Sequence, residues 1–318
     1  MFYIFIKKHT LVQHFFTGLK LDSTVRVLEY PYLKHSRLHG LLRGIEANLL
    51  WWLPLSWCYD EGYLSQLRSI NPDDSVLFFS IENRKTLQII RKFIRARKQS
   101  VWLWDPIHSY RNSAFSRWFY KSWLRRSGLD TYTFDPRDAK EFGIGLLEQV
   151  FRHDPVAQDQ EVAKDIDLCF VGTDKRRLPE LLRWKDAFEQ QGLRTCFHVV
   201  ADRRNQYGPK ERALVTDKWI SYAENLDLAR RSKCILELLQ GTQSGPTLRS
   251  IEALFLGCKL ITNNASIVDC GFYHPSRIFV IGHDRVEDLQ AFLRMPMEVA
   301  SDELLSRHEI KTWLRRFE

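Results

Sequence analysis

The chain has 318 residues, 44% hydrophobic and 27% charged, with a net charge of +8 and a pI near 9.1. Such proportions belong to an ordinary globular chain long enough for one large domain or two medium ones, and they exclude a disordered or fibrous protein. The positive balance fits an acidic partner: nucleic acid, an anionic membrane surface or a phosphorylated small molecule.

Taken in order, the N-terminal run "MFYIFIKKHT" is too short for the hydrophobic region of a signal peptide. Beyond it, apolar runs of strand length alternate with helix-period segments, the pattern of an α/β fold with parallel sheets. In the first half, strands are expected at 24–30, 75–80, 101–105 and 131–134. Between the second and third of these, Leu87, Ile90 and Ile94 share one helical face while Arg91, Arg95 and Lys98 fall away from it, giving a βαβ unit with a basic outer face. The longest apolar patch, 49–57, contains Pro54 and is too short to span a bilayer. Two segments, 34–57 and 111–128, combine Arg and Lys with Trp and Leu. In the second, Phe115, Phe119 and Trp123 line one face and Arg117, Lys121 and Arg125 another. That layout suits an interfacial helix on anionic lipid, and equally a helix whose aromatics pack on the sheet.

Residues 152–165 are polar, contain a proline and read as a linker. A second α/β series follows: a strand at 166–173, a helix closed by Gly192, a strand at 194–200, a short helix at 225–233 and a strand at 234–239. The six cysteines form no CxxC pair and mostly fall in or beside strands, which points to reduced thiols and a cytoplasmic chain. The segment from 301 onward has helical period, with Ser301 or Asp302 as its cap. The expected organisation is therefore an N-terminal domain over 1–151, the linker, a C-terminal domain over 166–300, and a final helix over 301–318 packing back on the first domain.

The run "SGPTLRSIEALFLGCKLIT" at 244–262 carries the most chemistry. Pro246 suits the first turn of a helix, Ser244 or Gly245 can cap it, and Gly257 stops it before the next strand. The helix start then lies at the carboxyl end of the strand 234–239, where open α/β sheets bind ligands. Free amides and the helix dipole make it a place for a phosphate or diphosphate, and Glu252, one turn further in, has the reach to accept from vicinal hydroxyls such as those of a ribose.

This run resembles the C-terminal nucleotide-sugar motif of GT-B glycosyltransferases, a glycine turn, then Glu-Ala, then a glycine four residues after the alanine, then an apolar strand. Gly245, Glu252, Ala253 and Gly257 match it at that spacing. Upstream, "DIDLCFVGTDKRRLPELL" is similar to the first strand and loop of the same domain. The order of these segments resembles bacterial enzymes that build lipopolysaccharide core, O-antigen or capsule, some with a CgeB-like domain. The resemblance implies a GT-B architecture, two Rossmann-like domains facing across a cleft. It places a nucleotide-sugar donor on the second domain, against Gly172 and one of Lys175, Arg176 or Arg177 in the first loop. Ser244, Gly245, Thr247, Leu248 and Arg249 would surround its phosphates at the helix start, with Glu252 on the ribose and Tyr222 beside the base. One departure is notable: where retaining relatives carry a carboxylate eight residues before the second Glu, this chain has Ser244.

For an inverting reaction a base must take the proton of the acceptor hydroxyl. Asp105, ending the strand "VWLWD", and His108, three residues on, are the candidates, although both also read as ordinary loop residues. The resemblance further implies a lipid-linked or oligosaccharide acceptor, no metal or other cofactor, and a peripheral position on the cytoplasmic face of the inner membrane. Nucleic acid is not expected, since no RRM, KH or helix-turn-helix pattern occurs. The rival readings are a nucleotide-sugar epimerase or hydrolase on the same fold, and a non-catalytic membrane-associated binding protein.

Overall fold

The computed structural model describes residues 1–30, 41, 45, 59–111, 113–154, 162–239 and 243–318. Apart from Leu41 and Ile45, the basic-aromatic segment 34–57 lies outside the described residues, as do Cys58 and the centre of the expected linker. Contacts divide the chain into two units: Met1–Glu148 with Leu314–Glu318, and Gln149–Trp313.

In the first unit six parallel strands are ordered β2-β1-β3-β4-β5-β6. They are β1 (Phe2–Lys7), β2 (Val25–Tyr30), β3 (Ser75–Phe79), β4 (Lys98–Leu103), β5 (Asp130–Thr133) and β6 (Gly145–Leu146). The sequence reading assigned no strand to β1, yet it lies between β2 and β3 with Ile4, Phe5 and Ile6 buried. A parallel strand covered on both faces is a near-continuous apolar run without alternation, and "FYIFIK" is one. The helix Arg84–Arg91 is shorter than expected: Asn83 caps it by accepting from the amides of Lys85 and Thr86, and Ile94 and Lys98 fall beyond its end. The turn Arg315–Phe317 packs on this unit, with the Phe317 ring 5.5 Å from that of Tyr132 and Arg316 paired to Glu148.

In the second unit five parallel strands are ordered β11-β10-β9-β7-β8. They are β7 (Ile166–Thr173), β8 (Thr195–Val200), β9 (Ser232–Glu237), β10 (Lys259–Thr262) and β11 (Ile278–Val280). Alternate residues feed two cores. Ile235, Leu260, Ile278 and Val280 pack with the helices Tyr222–Arg230 and Leu248–Phe255. Leu168, Phe170, Leu236, Ile261 and Phe279 pack with the helices Leu178–Glu189 and Leu289–Arg294. The single helix expected from 301 is two, Asp302–His308 and Ile310–Leu314. Glu309 interrupts it because Phe151 pairs there as a short parallel bridge, donating its amide to the His308 carbonyl (2.7 Å) and accepting from the Ile310 amide (2.9 Å).

Candidate functional site

In the second sheet the chain runs from β7 outward to β8 and then returns to place β9 on the other side of β7. The strand order reverses between β7 and β9, and the crevice at their carboxyl ends is the place such sheets bind ligands. The helix Leu248–Phe255 starts beside it. Its cap is Thr247, not Ser244 or Gly245, and Pro246 precedes the cap instead of opening the helix. Thr247 wins because its hydroxyl has two partners, accepting from the Arg249 amide (3.0 Å) and donating to Glu237. Among the described residues no other opening amide of this helix has a side-chain acceptor. Gly257 stops the helix as expected, at φ +58° just past its end.

Glu237, the last residue of β9, is fully buried and went unnoticed in the sequence. It accepts from three hydroxyls: Thr247, Ser250 (2.9 Å) and Thr262 at the end of β10 (2.6 Å). One carboxylate thus ties the helix start to two strand ends.

Two guanidiniums converge at the same edge. A Cβ added to Gly172 near the end of β7 would lie 3.6 Å from Arg249 Nη2 and 3.7 Å from Arg177 Nη2. Both guanidiniums lie over the Phe170 ring, at 5.2 Å for Arg177 and 5.4 Å for Arg249. Arg177 donates to the carbonyls of Thr173 (2.6 Å), Asp174 (3.2 Å) and Leu238, and Arg249 donates to that of Val171 (2.5 Å). Among the described residues neither forms an ion pair with a carboxylate. Burial and then the neighbouring Arg249 charge bring the Arg177 pKa down to about 10. Two like charges thus lie together at the carboxyl edge of the sheet, and the carboxylates of Asp174, Glu180 and Glu237 offset them in part at Arg177.

Of Lys175, Arg176 and Arg177, any one of which the sequence offered for this task, Arg177 is the one beside Gly172; Lys175 and Arg176 lie in the loop before it. They are exposed and hold the loop in left-handed backbone, φ 45° and 66°. That turn is fixed by Asp174, which is buried and accepts from the amides of Arg177 (2.9 Å) and Leu178 (2.7 Å), from Asn205 Nδ2 (2.6 Å) and from the Tyr207 hydroxyl (2.8 Å).

Glu252, which the resemblance assigns to the ribose hydroxyls, is covered by a neighbouring helix. It is 5% exposed, its Oε1 accepts from the Tyr222 hydroxyl (2.7 Å), and burial raises the pKa of both groups. Tyr222 opens the helix Tyr222–Arg230, so the pair joins two helices on one face of the sheet.

In the first unit the strand order reverses between β1 and β3. Lys7 ends β1, Glu82 follows β3 and Asp105 follows β4, and Lys7 Nζ lies 3.9 Å from Glu82 Oε2 and 3.7 Å from Asp105 Oδ2. The second expected base is bound elsewhere: His108 Nε2 is 2.7 Å from Glu141 Oε2 and 3.7 Å from Asp138 Oδ1, both on the helix Pro136–Phe142. The structure therefore separates Asp105 and His108 into different clusters. Asp60 in "WCYDEGY" serves its helix, accepting from the Tyr63 amide at 3.0 Å.

No protein-family model matches the sequence, and no curated protein matches it in sequence. Solved structures do. The N-terminal domain of trehalose-6-phosphate phosphatase from Candida albicans is similar with a TM-score of 0.57 at 13% identity, over 99% of this chain and 95% of that one. An E. coli trehalose-6-phosphate structure bound with UDP-2-fluoro glucose gives 0.51 at 11% identity, over 100% and 96%. An α,α-trehalose-phosphate synthase (UDP-forming) from Burkholderia vietnamiensis gives 0.50 at 12% identity, also over 100% and 96%. The chain has the GT-B fold. Within a GT-B chain the crevice between β7 and β9 is the carboxyl edge of the second domain, and the Lys7, Glu82 and Asp105 cluster is that of the first. The two residues that best define these edges, Glu237 and Glu82, carry no motif in the sequence. A weak signal was present in each, a lone carboxylate at or near the end of an apolar strand: Glu237 is the last residue of β9, and Glu82 lies three residues past the end of β3.

Proposed function

We propose that the chain is a glycosyltransferase that moves a sugar from a nucleotide-sugar donor to an acceptor hydroxyl. The observation that carries this reading is the pair of guanidiniums, Arg177 and Arg249, held without a carboxylate partner beside the start of the helix Leu248–Phe255. A departing diphosphate is what such a pair neutralises, together with the helix dipole, and no metal is invoked. Gly245, Leu248 and the Thr247 cap border the same edge, and Glu252 with Tyr222 is assigned to the nucleoside side, next to the arginines. Calorimetry with UDP, GDP, dTDP and CMP tests the reading. At least one is expected to bind, and binding of none would overturn it.

The acceptor is assigned to the carboxyl edge of the first sheet and, more finely, to a lipid-linked saccharide of bacterial surface polysaccharide synthesis at the cytoplasmic face of the inner membrane. Support comes from the helix Ala114–Ser127. Its inward face is Tyr120 and Leu124, with Trp123 against the core, so Trp123 does not belong to the outer stripe expected from the sequence. Phe115 (74%) and Phe119 (46%) of that stripe are exposed, joined by Trp118 (63%), and the Phe115 and Trp118 rings stack at 6.1 Å. Arg117 and Lys121 are turned to Glu141, while Arg125 and Arg126 remain in solvent beyond the stripe and the Arg84 guanidinium lies 4.6 Å over the Phe119 ring. Exposed aromatics bordered by cations match an anionic lipid surface. Among the described residues no helix is long and apolar enough to cross a membrane.

Burying a large apolar side chain is worth roughly 1.5–3 kcal/mol. Phe115→Ala/Trp118→Ala is therefore expected to weaken binding to phosphatidylglycerol-containing vesicles by at least about tenfold in co-sedimentation, since each 1.4 kcal/mol is tenfold. Wild-type protein that stays in the supernatant with such vesicles would overturn the membrane assignment and leave the donor site standing.

A further inference from the structure

Three acidic or basic groups at the carboxyl edge of the first sheet could exchange a proton with an acceptor: Asp105, His108 and Glu82. Asp105 is the most exposed, 60% at its side chain, and among the described residues its carboxylate pairs with Lys7 and acts on Glu82. His108 is held by Glu141 on a neighbouring helix. Glu82 has the environment of an acid–base group. Its Oε1 is fixed by the amides of Trp104 and Asp105, both at 3.2 Å, and by the Ser80 hydroxyl at 3.4 Å. Its Oε2 accepts no hydrogen bond among the described residues and has only Lys7 Nζ, 3.9 Å away. One oxygen is thus anchored and the other is available, at the point where the strand order reverses. Ser80, two residues before it, sits at φ 57°, a strained conformation for a residue with a side chain, and its amide donates to the Trp102 carbonyl at 2.9 Å.

We propose that the transfer inverts configuration and that Glu82 is its catalytic base, its Oε2 taking the proton of the acceptor hydroxyl. The inference rests on the glycosyltransferase reading above. As the acceptor oxygen forms its bond to the anomeric carbon, the bond from that carbon to the donor phosphate breaks and its electron pair leaves with the nucleotide. The proton passes to Glu82 and from there to solvent, so the carboxylate is restored. Lys7 steadies the ionised form, and Asp105 opposes it.

The environment tunes Glu82 for this task. Burial first, and then the Asp105 charge, push its pKa up to about 7, against the lowering effects of Lys7 and the two amides. The other titratable groups facing it are the Tyr110 and Tyr120 hydroxyls; burial raises both, and the Tyr120 hydroxyl donates to the Glu82 backbone carbonyl at 3.1 Å. A base with a pKa near the working pH is the efficient one.

The test uses the full chain and the nucleotide sugar whose nucleotide binds in calorimetry, with an acceptor from saccharide and lipid-linked saccharide panels. Wild-type kcat is expected to rise with pH through about 7, as Glu82 loses its proton. Glu82→Gln keeps the Oε1 anchor and is expected to lower kcat by roughly 100-fold to 10,000-fold, to abolish that limb and to leave the nucleotide Kd unchanged. Asp105→Asn removes the opposing charge and is expected to move the limb to lower pH. Glu82→Asp, which keeps a carboxylate, retains the limb at reduced kcat and serves if the glutamine variant does not fold. A glutamine variant with wild-type kcat and an intact limb overturns the assignment of Glu82 alone. Wild-type protein that binds a nucleotide yet releases none from any nucleotide sugar overturns the transferase reading, and Glu82 as its base falls with it.

Discussion

Arg249→Ala will weaken nucleoside-diphosphate binding by roughly 10- to 150-fold in calorimetry, the range for losing hydrogen bonds to a charged group worth about 1.5–3 kcal/mol. The apo fold should scarcely change. Arg249 gives the protein one hydrogen bond, to the Val171 carbonyl; its charge opposes that of Arg177 and favours the ionised form of buried Glu252. Its removal therefore relieves repulsion on Arg177 while withdrawing a favourable charge from Glu252. Arg177→Ala behaves differently, because that guanidinium is bound to the carbonyls of Thr173, Asp174 and Leu238. It should lower both affinity and melting temperature. Arg249→Lys returns the charge without the planar fork and should recover only part of the affinity. Binding that falls with added salt in the wild type, and less steeply in Arg249→Ala, would mark the contact as ionic. An Arg249→Ala protein with undiminished affinity for every diphosphate that the wild type binds would remove the central support for the donor site.

The largest effect on stability is expected at Glu237. Replacing it with alanine takes the acceptor from three hydroxyls together, those of buried Ser250 and Thr262 and of half-buried Thr247. Each unsatisfied buried group costs about 1–3 kcal/mol, so the loss is roughly 3 kcal/mol or more. For a unit of this size about 1 kcal/mol moves the midpoint by 2–4 °C, which predicts a fall of roughly 6–12 °C in the transition of the second unit by scanning calorimetry. Glu237→Gln should cost less, since the amide oxygen still accepts and a hydroxyl can turn to accept from the amide nitrogen. Because the same carboxylate fixes the Thr247 cap, the alanine variant should also lose nucleotide affinity. A melting temperature unchanged by Glu237→Ala would mean that the hydroxyls find other partners and that the carboxylate does not hold the helix start.

How far each element could be read depended on how its residues announce burial. β7 was legible to the residue, because "IDLCFVGT" is apolar on both faces and is closed by a glycine. β9 was displaced by two positions: the apolar run at 234–239 continues past the strand, and its true ends are the polar Ser232 and the buried Glu237. β10 and the Gly257 stop were legible for the same reason as β7, with local chemistry deciding local structure. The helix start was placed almost correctly, but its cap went to Thr247, since the deciding contact is with Glu237, ten residues away along the chain.

Electrostatic detail followed the opposite rule. Nothing in "TDKRRLP" distinguishes Lys175, Arg176 and Arg177; past the left-handed turn fixed by Asp174 the third is half-buried beside Gly172, and the first two are exposed. Likewise nothing in the run 244–262 shows that the helix Tyr222–Arg230 covers Glu252 or that the Tyr222 hydroxyl donates to it. Glu82 acquires its raised pKa only from burial and from Asp105, 23 residues further on.

By itself, then, the sequence determined the two parallel α/β series, the strands covered on both faces and the glycine-stopped helix beside a ligand-binding edge, because hydrophobic period and turn chemistry act over a few residues. The tertiary structure alone decided which arginines meet at Gly172, which carboxylate anchors the helix cap and which one stands available at the first edge. A side chain's charge is written in the sequence, but its desolvation and its neighbours are set by segments tens of residues apart, and those two quantities decide what the charge can do.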